Sequence, residues 1–329
     1  SQAKSVGIYA YNTTSQNLTV VNNIVTAHQN GMSMLGTDTS GLVVSNNLFA
    51  GNSTGGATNG VYVGGNGSHG TGIKVVDNTF RDTDDGTGGS TYAIQFNVIQ
   101  LADDVKDITI SGNGSTNDGT FLSLVNVSNT TVTNNTSQQQ AENGLMIRDG
   151  VISLTISNNQ LKDSLNGIWF IGIHGTTDDV TITGNTITGM SQSGILMYDG
   201  RDVAAGNDSV SASKNTITGN TVGIDNSSNV SIAADSNYWG CEAGPGAAGC
   251  DTNDGLVQAS VWYTNADMTA TNINNGNADD GDPADDSKVP GVPNTAVANK
   301  TVNLIPVIGA AVAAVVAGVV VVRRFATKI

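Results

Sequence analysis

Residues 181–195 read TITGNTITGMSQSGI. Ile182 sits between two threonines, Gly184 and Asn185 break the run, and Ile187 sits between two more. A Gly-apolar pair follows at Gly194 and Ile195. Alternation with period two belongs to a strand whose successive side chains face opposite ways. The segment is therefore two very short strands joined at an Asn, with a third beginning at the Gly.

The same unit recurs as VVNNIVTAHQNGM (20–32), TISNNQLKDSLNGI (155–168) and SASKNTITGNTVGI (211–224). Shorter copies are VSNNLF (44–49), VVDNTF (75–80), ITISGN (108–113) and VTNNTS (132–137). The aligned residues are Asn23, Asn47, Asn78, Asn113, Asn135, Asn159, Asn185 and Asn215, separated by 22 to 35 positions. No stretch before residue 300 keeps a 3.6-residue period. A unit this small cannot bury its apolar face alone, but it can stack on copies of itself. Stacked coils rise about 4.8 Å each, so equivalent residues form ladders, and a buried Asn is satisfied by the Asn above and below it. The expected fold is an all-β parallel β-helix, a solenoid.

Composition agrees with a stacked array. Charged residues make up 12%, aromatics 5%, Gly numbers 41, and the net charge is −15. So acidic a surface repels phosphate backbones, which excludes nucleic acid as an expected partner. The opening SQAKSVGIYAYNTT has no basic-then-apolar leader and reads as the middle of a repeat, so we expect the numbering to start after an upstream part.

The N-N-x-[IL] and G-N-T-I patterns, each followed by Gly-Ile, resemble the right-handed parallel β-helix repeats of the pectin-lyase-like superfamily over roughly residues 5–235. That resemblance implies a handedness and leaves function open. From aligned Asn to following Gly the distance is mostly 8 or 9 residues, whereas from that Gly to the next Asn it runs from 15 to 21. Length variation thus gathers in one connection of the coil, the side where solenoids often bind.

Asn237–Asp251, NYWGCEAGPGAAGCD, resembles the N-[YW]-W-G-C-x-x-G-P-G-x-x-G-C segment that closes many such helices. The resemblance implies a cap over 237–265, with Tyr238 and Trp239 covering the open end of a β-helix spanning 1–236 and Cys241 paired to Cys250. Two buried free thiols are the alternative. A disulfide would imply an extracytoplasmic location.

After residue 265 apolar periodicity ends, and 266–303 reads as a disordered acidic linker. Leu304–Val322 is 19 uncharged, mostly apolar residues, about 28 Å as a helix and long enough for one transmembrane span. Arg323 and Arg324 open a basic tail, 323–329, expected in the cytoplasm. Val292-Pro293-Asn294-Thr295-Ala296 resembles an L-P-x-T-G sorting signal with Val for Leu and Ala for Gly. It implies cleavage after Thr295 and attachment to a cell wall; a plain membrane anchor is the alternative. Both place the chain at the cell surface.

The superfamily includes polysaccharide lyases and glycoside hydrolases, but their motifs do not carry over. Ile173-His174-Gly175 lacks the leading Gly of a G-H-G, and no carboxylate trio accompanies an Arg. One constellation aligns. Asp149 lies five residues after Gly144, Asp199 five after Gly194, and His174 seven after Gly167 in the coil between them. His174 could act as a general base with the two carboxylates tuning it or holding a cation, while Arg148, Tyr198 and Arg201 contact substrate. The alternative is that Arg148-Asp149-Gly150 and Tyr198-Asp199-Gly200 are Asp-Gly turns.

No cofactor or dedicated metal site is expected. Ca²⁺ at Asp84-Asp85, Asp103-Asp104 or Asp178-Asp179 would find too few oxygens at any one pair. Thirteen N-x-S/T triplets occur, among them Asn12, Asn52, Asn126 and Asn229, in keeping with the abundance of these residues. Trp169 is expected as core filler. The functional expectation is a surface-anchored, non-catalytic display or adhesin-like module binding a polysaccharide or glycan. An anchored lyase or hydrolase and a structural surface-layer component are the alternatives.

Overall fold

The computed structural model describes residues 6–26, 29–51, 59–82, 91–99, 104–171, 177–198, 209–228 and 230–273. These form a parallel β-solenoid in which each coil adds one strand to each of three sheets. The first sheet runs from Val6–Tyr11 through Asn166–Ile171 to Asn253–Gly255, and the second from Thr19–Val21 to Val257–Gln258. The third runs from Ile24–Thr26 to Val261–Tyr263 and gains a final strand, Thr271–Ile273. Among the described residues the sheets hold ten, ten and eleven strands.

The repeat Asn occupies the corner between the second and third sheets. From Asn47 to Asn215 each is buried, and each donates its side-chain amide to the Oδ1 of the next Asn at 2.9–3.1 Å. The residue before each repeat Asn has a left-handed backbone: Asn22, Asn46, Asp77, Gly112, Asn134, Asn158, Gly184, Lys214 and Ser236. That conformation suits Gly and Asn, which explains the N-N and G-N dipeptides. The ladder extends one step past the eight residues aligned in the sequence, because Asn215 donates to Asn237.

The repeat Gly serves a different purpose. At Gly167 a Cβ would lie 2.5 Å from the Gly194 carbonyl oxygen and 2.6 Å from Ile187 Cγ2. Space, rather than φ, requires Gly there.

The interior is filled by files of like side chains. Met32, Val61, Ile94, Leu122, Leu145, Ile168, Ile195 and Ile224 succeed one another up the first sheet, all fully buried. Phe49 and Phe80 stack in the third sheet with centroids 5.3 Å apart.

A second polar ladder, not anticipated from the sequence, lines the corner between the third and first sheets. Gln140 Oε1 accepts the Asp118 N–H, Ser164 Oγ accepts the Gln140 N–H, and Asn220 Oδ1 accepts the Met190 N–H. Asn220 then donates its side chain to Asp251 at 2.6 Å. The varied chemistry of these residues hides the ladder from a search for repeats.

Cys241 and Cys250 form a disulfide, with Cα atoms 5.2 Å apart. It closes an excursion at this same corner, and it returns the chain so that Asp251 can receive Asn220. Tyr238 and Trp239 do not form the lid. Trp239 is fully buried within the core, and Tyr238 pairs with Thr216 and Tyr263 in the third sheet. Trp262 supports the disulfide loop instead, donating its indole N–H to the Glu242 carbonyl at 3.0 Å.

The 266–303 linker boundary also moves. Residues 264–270 turn, and Thr271–Ile273 pairs antiparallel with Val261–Tyr263. This covers the edge that the last strand of the third sheet would otherwise offer to another chain. The expected sorting motif, membrane span and basic tail lie outside the described residues. No described helix is long and apolar enough to cross a membrane.

Candidate functional site

The outward file of the first sheet lies two residues after the repeat Gly, or after Ala93, Phe121 and Thr252 where another residue stands in that column. Register places Tyr9, Ser33, Tyr62, Gln95, Ser123, Met146, Trp169, Leu196, Asp225 and Asp254 in one line parallel to the solenoid axis. Trp169 is therefore not core filler. Its neighbours Ile168 and Phe170 enter the core, and alternation turns the indole outward, where it is half-buried.

A second outward file lies two residues further along each strand. Ile147 pairs with Phe170, so Arg148 falls level with Ile171, which pairs with Tyr198. Arg148 and Tyr198, expected together from their spacing, thus share a file two coils apart, about 9.6 Å. Arg148 Nε and Trp169 Nε1 are both buried without a hydrogen-bond partner. A buried donor without an acceptor costs about 1–3 kcal/mol, which favours a turn of either side chain toward an acceptor that a ligand supplies.

Asp149 lies in a turn, as the Asp-Gly reading expects. Its carbonyl accepts the Asn126 N–H at 2.7 Å, and Gly150 follows with φ +64°. His174, Asp199 and Arg201 lie outside the described residues, so the constellation proposed for catalysis is represented here by Asp149 alone. Of the acidic pairs, Asp84, Asp85 and Asp103 also lie outside. Asp178 and Asp179 accept the hydroxyls of Ser209 at 2.8 Å and Ser153 at 3.0 Å. No group of three metal-ligating side chains occurs among the described residues.

Asp225 escaped the sequence reading. It neighbours Leu196 on one side and Asp254 on the other. Burial raises its pKa above the ordinary carboxylate value, and the Asp254 charge adds to the effect against a hydrogen bond from Ser227. Its position two residues after Gly223 was the available signal, identical to that of Trp169 after Gly167.

The partly accessible stretch of this face, from Arg148 and Trp169 through Leu196 and Tyr198 to Asp225, combines aromatic surface, two unpaired donors and one carboxylate over four coils. A ligand extended along the axis could stack on the rings and hydrogen-bond at both ends. The sequence matches the family described as "Right handed beta helix region" over residues 59–238, more than half of the chain. No curated protein matches it significantly.

Proposed function

Because the chain belongs to the right-handed β-helix family, whose stacked coils hold equivalent side chains in line along one axis, we propose that it is a non-catalytic recognition module for a glycan. The glycan lies along the outward face of the first sheet. The observation that carries this reading is the pair of unsatisfied buried donors, Arg148 Nε and Trp169 Nε1, on neighbouring coils of one outward surface. A sugar offers hydroxyl and ring oxygens to such donors, and its C–H faces suit the Trp169 and Tyr198 rings.

The module works outside the cell in this proposal. The Cys241–Cys250 disulfide suits an oxidising compartment. Either Leu304–Val322 anchors the chain as a membrane span, or it is the hydrophobic part of a sorting signal cleaved after Thr295, which then carries the attachment. A glycan-array screen of the full chain tests the function. Binding that falls at least tenfold in Arg148→Ala supports it, and a chain that captures no glycan defeats it.

Asp225 favours a second reading. Asp225, its carboxyl pKa pushed up by burial, lies on the coil next to Asp254, so the pair could serve as acid and nucleophile toward a glycosidic bond. In that case the bound glycan is cleaved, and Asp225→Asn keeps binding while abolishing release of reducing ends. Intact glycan after prolonged incubation with the parent chain rejects this reading.

A further inference from the structure

The second sheet carries a surface of another kind. Its outward positions form two parallel files. Thr109, Thr131, Thr155, Thr181 and Ser211 occupy one, and Ser111, Thr133, Ser157, Thr183 and Ser213 the other. All ten residues carry a hydroxyl, and every one is at least partly exposed. Five consecutive coils contribute T-x-T, T-x-S or S-x-S at the same phase. On a chain of net charge −15, none of the ten bears a charge.

The array is regular in two directions. Along the axis the hydroxyls recur at the strand spacing of about 4.8 Å, and along each strand at about 6.6 Å, two residues of rise. The interior Asn ladder holds successive coils in strict register. Branching at Cβ restricts each Thr to few rotamers, so methyl and hydroxyl positions repeat along with the backbone. Few of these hydroxyls are engaged: Ser157 donates to Thr133 at 3.1 Å and Ser211 to the Val180 carbonyl at 3.4 Å.

A flexible solute has no use for strict order in two dimensions, and a single glycan chain needs only one. A crystalline surface needs both. Among neutral lattices that expose hydroxyl donors and acceptors, ice presents nothing else, so a face of hydroxyls alone suits it best. Methyl groups between the hydroxyls would order the adjoining water rather than let it exchange freely. We propose that the outward face of the second sheet, Thr109 to Ser213, binds ice. This surface is separate from the glycan face on the first sheet, and either could fail without the other.

The test is adsorption of the full chain to a slowly growing ice surface, together with the gap between its melting and freezing points. The comparison variant is Thr155→Lys/Thr181→Lys. Lys is compatible with this file, because Lys74 already occupies it two coils before Thr131. The parent is expected to partition into the ice fraction and open a hysteresis gap, with the Lys pair losing both at least tenfold at unchanged Tm. Should the Lys pair unfold, Thr155→Val/Thr181→Val removes the hydroxyls at nearly constant shape and is expected to reduce the gap. Exclusion of the parent from ice overturns the proposal. So does ice uptake unchanged in a folded Lys pair, and so does retention on an insoluble neutral polysaccharide without ice uptake.

Discussion

Asn159 donates its side-chain amide to Asn185 Oδ1 in the next coil at 2.9 Å. Its own Oδ1 receives the Asn135 backbone N–H at 3.0 Å and the Asn135 amide at 2.9 Å from the coil before. The second amide hydrogen reaches the Val132 carbonyl at 2.9 Å. All four bonds that an Asn can form are made. The residue therefore belongs to the sequence repeat for a reason that no other side chain meets.

Removing it should be costly. Asn159→Ala leaves the Asn135 N–H and the Val132 carbonyl unpaired in the core, at about 1–3 kcal/mol for each buried group. We expect a loss of about 3 kcal/mol in denaturant unfolding. Its neighbour is a control. Asn158→Gly should change stability by less than about 1 kcal/mol, since φ there is +56° and Gly112 and Gly184 occupy the same column. Equal losses at 158 and 159 would contradict the ladder account.

Asp251 ends the second ladder as a carboxylate where an amide would serve. Burial raises its pKa above 3.8, although Asn220 donates to it from both side chain and backbone. A raised carboxyl pKa means that the folded state holds the proton more tightly than the unfolded chain does. Stability is then greatest below the ordinary aspartate pKa and falls as pH rises through the folded value. Asp251→Asn keeps the acceptor for Asn220 and removes the charge. It should raise Tm at pH 7 by a few degrees, with the gain disappearing below about pH 4. A gain that persists at pH 3 would show that the charge is not its source.

Cys241→Ser with Cys250→Ser opens the corner excursion. Closing a short loop is worth about 2–4 kcal/mol, and here the effect should be local. Hydrogen exchange is expected to accelerate over Asp251–Tyr263, where Trp262 leans on the loop through Glu242, and to stay unchanged around Asn135–Asn159. Uniform acceleration along the solenoid would mean that the disulfide secures the whole stack.

The fold was open to reading because its determinants repeat. Asn185 and Gly194 represent columns that keep one residue type in most coils, so the pattern TITGNTITGMSQSGI carries the cross-section. Features that change chemistry from coil to coil were hidden. Gln140, Ser164, Asn220 and Asp251 line one corner, interrupted by Met190, and share no residue type. Trp239 entered the core rather than covering the open end, because a lone aromatic in the last coils does not reveal its phase. The candidate site was half legible. Spacing paired Arg148 with Tyr198, and the same counting from Gly167 and Gly223 would have turned Trp169 and Asp225 outward. Asp149 was found by that counting too, but its Asp-Gly partner makes it a turn residue first.

The central claim, that the outward face of the first sheet holds a glycan between Arg148 and Asp225, is tested most directly by Trp169. Trp239 is wholly buried and Trp262 nearly so, which leaves Trp169 as the indole positioned to report contact. Titration with a glycan captured by the full chain should shift the intrinsic fluorescence saturably. The shift should vanish in Trp169→Phe, and its midpoint should move at least tenfold in Arg148→Ala. A saturable shift that survives Trp169→Phe with unchanged affinity would place the ligand elsewhere and contradict the account.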